Sequence, residues 1–163
     1  MDFALTEEDA LIADTARRIA GERLAPLAET LDRGEGRDAF LANLKLLAEQ
    51  GFMGLNVRAE HGGAEAGTTA FALSIQAFAE ACASTAVTAS VTNMVGEIIQ
   101  AVGNDEQRAR YLPPLCDGTF SAGAFCLTEA GAGSDPAAMK TRAVMDGNEW
   151  VLNGAKLYIT SAP

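Results

Sequence analysis

Cysteine is scarce in this 163-residue chain and poorly spaced for chemistry: Cys82, Cys116 and Cys126 are odd in number, far apart and form no C-x-x-C pair. That argues against a disulfide framework and a zinc site and points to reduced thiols. Long apolar runs are missing too. No stretch of about 18 apolar residues occurs, and the opening Met1-Asp2-Phe3-Ala4-Leu5-Thr6-Glu7-Glu8 has neither a basic start nor an apolar segment. No membrane insertion and a cytoplasmic location are therefore expected. Positive charge is also short, with 12 Lys and Arg against 22 Asp and Glu, a formal net charge of -10. Nucleic acid is a poor partner for such a chain. A phosphate-bearing ligand would have to be held by local backbone donors and hydroxyls, because the overall field opposes it.

What is present is apolar and mostly helical in period. Hydrophobic residues make up 48% of the chain, ample for a packed core. Thr6 followed by Asp9 resembles a capping box and predicts a helix starting near Glu7. Pro26 bends or splits that helix, and a second piece ends around Arg33-Gly34-Glu35-Gly36. Phe40, Leu41, Leu44, Leu47 and Ala48 put one stripe on a helix over residues 39–50, closed by Gly51. Residues 51–67 read as a loop with a tight turn at Glu60-His61-Gly62-Gly63. Residues 69–82 and 84–102 read as two long helices rich in small residues and buried on most sides. Asn104 and Gln107 mark one more helix start, and Pro113 and Pro114 are expected to end it. Beyond Asp117-Gly118 the period changes: residues 120–128, 141–146, 149–153 and 155–160 read as strands. They are joined by Asp146-Gly147-Asn148 and by Asn153-Gly154, the latter a strong two-residue hairpin signal.

The fold class read from this pattern is α+β. An N-terminal all-α helical domain, residues 1–118, is followed by the beginning of a mostly antiparallel β-barrel or sandwich domain, residues 119–163. Strands that stop at Pro163 leave an open edge, so a truncated piece of a longer protein is expected.

Two segments carry candidate chemistry. In Thr128-Glu129-Ala130-Gly131-Ala132-Gly133-Ser134-Asp135-Pro136 the small residues let backbone amides and a hydroxyl approach phosphate oxygens, although an ordinary turn-rich loop has the same composition. A proline in place of the third glycine, and the absence of a βαβ unit, rule out a Rossmann fingerprint. Alternation on a strand over residues 155–160 would put Tyr158 and Thr160 on one face, an aromatic plane beside a hydroxyl that suits a flat heteroaromatic ring. Glu80 and Glu97 are read as structural carboxylates at helix borders, and His61 as a loop residue.

The run Phe125 to Asp135 and the later Leu157-Tyr158-Ile159-Thr160-Ser161 together resemble the acyl-CoA dehydrogenases. The order of Phe3 to Glu8, Glu49-Gln50-Gly51-Phe52-Met53-Gly54, Glu60-His61-Gly62-Gly63 and Gly103-Asn104-Asp105-Glu106-Gln107 strengthens the likeness over nearly the whole chain. The resemblance implies a helical N-terminal domain, part of a middle β domain, and a C-terminal four-helix domain that this chain does not contain. It also implies FAD as cofactor, an acyl-CoA thioester as substrate, and α,β-dehydrogenation. Leu127 and Thr128 would meet the flavin's pyrimidine edge, and Thr160 would hydrogen-bond near N5. Gly133 and Ser134 would lie along the pyrophosphate, Ser134 also beside the bound acyl-CoA. Tyr158 would cover the ring where many members carry Trp, with Phe125 and Ile159 completing the cofactor-binding set. Ala130 stands where Pro is common. Small residues of the segment 85–95, among them Ala86, Thr88, Ala89 and Ser90, would line the acyl pocket. No catalytic residue is assigned here, because the family's base belongs to the C-terminal region, so this piece alone should be inactive. An electron-transfer flavoprotein or similar acceptor, a place in fatty acid metabolism and a homo-oligomer (tetramer or dimer) are further implications. The alternatives are an acyl-CoA oxidase or nitroalkane oxidase of the same fold, or a non-catalytic helical partner module.

Overall fold

The computed structural model describes residues 4–162; Phe3, which opens the first family landmark, lies outside them. The chain divides into two units, Met1–Gly123 and Ala124–Pro163.

The first unit is helical. The Thr6 hydroxyl caps α1 (Glu7–Ile19) by accepting the Asp9 amide at 3.0 Å, while Glu7, Glu8 and Asp9 set negative charge against the helix N-terminus. The break at Pro26 is spread over two turns. The helix widens to π geometry over Ala20–Leu24 and tightens to 3-10 geometry over Ala25–Leu27 before α2 (Ala28–Asp32). Pro26 has no N–H, so the ladder around it loses donors. The buried Asn43 of α3 (Arg37–Glu49) supplies one, its Nδ2 donating to the Arg23 carbonyl at 3.0 Å. At the end of α3 the Phe52 amide donates to Leu47 and the Gly51 amide to Ala48, which turns the chain and sends Phe52 into the core.

α4 (Gly67–Ala81) and α5 (Ala83–Val102) are separated by a single extended residue, Cys82. Phe78 and Phe52 meet edge to face at 5.2 Å in the centre of the unit. The expectation that both long helices are buried on most sides needs correcting: α4 buries only Ala70, Ser74, Ala77 and Phe78, and α5 is likewise one-sided. Its Thr85, Ala89, Thr92 and Asn93 are buried, but Val87, Met94 and Val102 are exposed. Small side chains on α4 and α5 allow close approach on one side without requiring cover on the other.

α6 (Asp105–Cys116) opens with a full capping box between Asn104 and Gln107. Pro113 and Pro114 do not end it, contrary to the sequence reading; they lie inside its last turn. The carbonyls they deprive, those of Ala109 and Arg110, belong to exposed residues and can turn to water. The buried Leu112, Leu115 and Cys116 meanwhile anchor the turn. Burial, with the Asp117 carboxylate adding to it, pushes the Cys116 thiol up to about 11.

Between α3 and α4 the loop folds onto α5 through two amides. Asn93 accepts the Leu55 amide at 2.7 Å and donates to the Phe52 carbonyl at 2.9 Å, and Gln100 accepts the Arg58 amide at 2.7 Å. Inside this loop Gly63 lies against the Val57 backbone so closely that a Cβ would collide with the carbonyl. Gly63→Ala is expected to cost at least about 1–3 kcal/mol, because backbone and not a flexible side chain must yield. A lowered thermal midpoint in the complete protein is the check, and a midpoint equal to wild type contradicts it.

The second unit holds one antiparallel hairpin, β1 (Arg142–Asp146) and β2 (Glu149–Asn153), paired from Arg142↔Asn153 to Asp146↔Glu149. Gly147-Asn148 is the two-residue loop of this hairpin, as the turn read at Asp146-Gly147-Asn148 leads one to expect, but three other expectations change. Asn153-Gly154 closes no hairpin. Gly154 instead presses against Thr141, leaving no space for a Cβ. Residues 120–128 and 155–160 are not strands. A ladder needs successive paired bonds, and these segments share only one, from the Leu157 amide to the Thr128 carbonyl at 2.9 Å. At Tyr158 the backbone then turns to φ 56°, which ends the extended conformation. Helical domain followed by antiparallel sheet nonetheless stands as the class.

Candidate functional site

The site lies in the second unit, where two irregular segments are tied together by one carboxylate and one ammonium. Glu129 follows Leu127-Thr128, and its side chain is only 9% exposed. Its carboxylate accepts the Lys140 amide at 2.7 Å, the Thr141 amide at 3.0 Å and the Lys156 ammonium at 2.9 Å. The same ammonium donates to the Leu127 carbonyl at 2.8 Å and lies 3.2 Å from Met139 Sδ. The nearby Thr141 hydroxyl, the Lys140 amide and the Lys156 ammonium hold the Glu129 carboxyl down at about 2, from an ordinary 4.5. The Thr141 Oγ1 is buried against Gly154 and sits beside the carboxylate without the alignment of a full hydrogen bond.

A carboxyl with a depressed folded-state pKa stabilises the fold above its unfolded value and loses that contribution as pH falls through the folded one. Glu129 therefore contributes fully above about pH 4.5, and its share vanishes on descending toward pH 2. Glu129→Gln is expected to flatten the fall in thermal midpoint over that acid range in the complete protein. An unchanged pH profile would contradict this.

The predicted residues fall into three sets. Leu127, Thr128, Ile159 and Thr160 are half-buried, and the bond from Leu157 to Thr128 together with the Lys156 contact to Leu127 brings their two segments side by side. Gly133 and Ser134 are exposed and follow directly on the tight turn that the mutual backbone bonds of Glu129 and Ala132 close. No hydrogen bond joins this pair to the first set. Phe125 is exposed, and Tyr158 is 93% exposed, so the reasoning from strand alternation does not place Tyr158 and Thr160 on one face. Beside them runs a cleft of about 350 Å³ lined by Glu129, Gly131, Lys140, Thr141, Gly154 and Leu157. It is lined by neighbours of the predicted residues and not by those residues themselves.

Within this unit the donors of the predicted residues are unused. Among the described residues, no hydrogen bond engages the amides of Leu127, Thr128, Gly133 and Ser134, or the hydroxyls of Thr128, Ser134 and Thr160. A Cβ built on Gly131 or Gly133 meets nothing within 4 Å. Unspent donors on a surface with open space above small residues fit a ligand rich in oxygen and ring-nitrogen acceptors.

In the first unit, Glu97 accepts from Asn56 at 2.8 Å and Glu80 from Gln76 at 3.0 Å, as structural carboxylates do. His61 lies 3.7 Å from Glu60 in the loop. Of the small residues assigned to the acyl pocket, Thr88 and Ala89 face the buried core. Ala86 is also buried, and it and the half-buried Ser90 line a shallow groove of about 220 Å³ between α4 and α5. No group of His, Cys, Asp or Glu among the described residues could hold a metal ion. No helix among them is long and apolar enough to cross a membrane.

Sequence reasoning missed the Glu129–Lys156 pair. The one available signal was an acidic residue embedded among small ones in the motif, since a contact spanning 27 residues has no period to reveal it.

The profile of the acyl-CoA dehydrogenase N-terminal domain matches residues 6–119, and that of the acyl-CoA dehydrogenase middle domain matches residues 124–163. The chain belongs to the acyl-CoA dehydrogenase family. It is 39% identical over 158 residues to the mitochondrial short/branched chain specific acyl-CoA dehydrogenase of Rattus norvegicus, covering 96% of this chain and 36% of that one. It is also 39% identical over 162 residues to the acryloyl-CoA reductase (NADH) of Anaerotignum propionicum, covering 98% and 40%. A crystal structure of an acyl-CoA dehydrogenase complexed with FAD from Bacillus anthracis superposes with a TM-score of 0.88 at 32% identity, covering 96% of this chain and 27% of that one. This family member thus spans roughly two fifths of the curated relatives it matches.

Proposed function

We propose that this chain supplies part of the flavin and substrate surface of a FAD-dependent acyl-CoA dehydrogenase acting on the α,β bond of an acyl-CoA thioester. The observation that carries the reading is the row of unspent donors at Leu127, Thr128, Gly133, Ser134 and Thr160. It is supported by family membership and by the FAD in the Bacillus anthracis relative. When bound, FAD supplies the acceptor for the substrate's β-hydride.

This chain's own residues bind and orient. The amides of Leu127 and Thr128 meet the pyrimidine edge of the ring, and the Thr160 hydroxyl donates near N5. Gly133 lets the backbone reach the pyrophosphate, while the Ser134 hydroxyl serves both that group and the acyl-CoA. Tyr158, with Phe125 and Ile159 beside it in the set, provides apolar cover. No carboxylate here acts as the base that removes the α-proton. Glu129 is held ionised by its amide and ammonium partners and is too weak a base for that step. That role belongs to a glutamate elsewhere in the complete protein. Passage of electrons to an electron-transfer flavoprotein, a homo-oligomeric assembly and a cytoplasmic location complete the proposal.

The test is anaerobic addition of acyl-CoA thioesters of different length to the flavin-loaded complete protein. Bleaching of the visible flavin band by at least one thioester is expected, with slow reoxidation by oxygen. Rapid reoxidation favours the oxidase reading, and no bleaching by any thioester overturns the substrate class. Because one relative at 39% identity is named a reductase, the reverse direction is a second reading. Oxidation of the reduced protein by an enoyl-CoA far faster than reduction by its saturated partner would favour it.

A further inference from the structure

Lys156 precedes Leu157, whose amide donates to the Thr128 carbonyl at 2.9 Å. Its own ammonium is spent on the Leu127 carbonyl at 2.8 Å, Glu129 Oε1 at 2.9 Å and Met139 Sδ at 3.2 Å. Glu129 is fixed in turn by the Lys140 and Thr141 amides. One ion pair thus joins the segments 127–129, 139–141 and 156–157.

The Leu127 carbonyl and the Thr128 amide belong to one planar trans peptide and point in opposite directions. Holding the carbonyl on one side therefore aims the amide on the other. That amide has no partner among the described residues. A cation on the carbonyl also polarises the whole peptide and makes its N–H a stronger donor.

We propose that Lys156, seated by Glu129, is a positioning residue for the flavin: by gripping the Leu127 carbonyl it aims and strengthens the Thr128 amide toward the pyrimidine edge of FAD. The proposal rests on the functional reading above. The pair also sets local charge. Without Lys156, the Thr128 donor weakens and Glu129 is left as a bare anion, which disfavours the extra electron density of a reduced ring. Without the Glu129 charge, Lys156 is uncompensated and favours it.

Apoprotein of the complete protein is titrated with FAD, and the midpoint potential of each holoprotein is measured. Lys156→Met is expected to weaken FAD binding at least tenfold and to lower the potential, Glu129→Gln is expected to raise it, and Lys156→Arg is expected to keep affinity within about threefold of wild type. Should Lys156→Met fail to fold, Lys156→Gln must lower the potential in its place. A merely structural pair would shift both charge-removing variants in the same direction or move only their thermal midpoints, and either result overturns the proposal. Wild type that binds FAD beside variants that match it overturns this proposal alone. Wild type that takes up no FAD overturns the functional reading as well.

Discussion

Asn93→Leu is expected to destabilise the helical unit by about 2–5 kcal/mol. Asn93 is fully buried on α5. Its side chain accepts the Leu55 amide at 2.7 Å and donates to the Phe52 and Ala89 carbonyls at 2.9 Å each. Leucine has the same branched outline and is larger, so the change leaves no cavity, but the Leu55 amide and the Phe52 carbonyl lose their partner in a dry interior. Each orphaned group costs on the order of 1–3 kcal/mol. The loss concentrates in the loop that carries Gly62 and Gly63, because Asn93, with Glu97 and Gln100, attaches it to α5. Chemical denaturation of the complete protein, paired with hydrogen exchange at Leu55, reads the effect. A variant that keeps both the wild-type midpoint and the protection of Leu55 contradicts it.

Thr160→Val is expected to slow flavin reduction by an acyl-CoA thioester on the order of 10²-fold in the complete protein, with FAD content unchanged. Valine preserves the β-branched shape and removes only the hydroxyl. That hydroxyl has no partner among the described residues, so its loss leaves nothing unsatisfied among them. Any kinetic effect then reports an interaction made only with bound cofactor or substrate. Unchanged reduction kinetics sink the assignment of Thr160 to N5, and loss of FAD from the variant would show that the hydroxyl serves binding instead.

Much of the helical unit was legible because its signals are local. Thr6 and Asn104 cap the helices they were read to cap, and apolar spacing marked α1 and α3. Pro113 and Pro114 misled because proline's cost depends on which carbonyls it orphans, and here those belong to exposed residues. In the β unit the composition of 120–128 and 155–160 favours extended chain. A strand also needs a paired neighbour, and local sequence does not reveal one. The motif 125–135 pointed to the family, but not to the contacts that hold its residues in place. Lys156 and Glu129 are individually unremarkable charges in sequence, and only folding brings the ammonium onto the carbonyl beside Thr128. Asn93 was equally hidden, one polar residue in a helix of small ones, identified by its 41-residue reach to Phe52.

The most direct test is the flavin content of the complete protein purified from its source, read as the ratio of flavin to polypeptide and repeated after adding excess FAD to the apoprotein. Stoichiometric FAD, lost or markedly weakened in Lys156→Met, is the result predicted. A protein that carries no flavin and takes none up contradicts the assignment of the Leu127-to-Thr160 donors to a flavin.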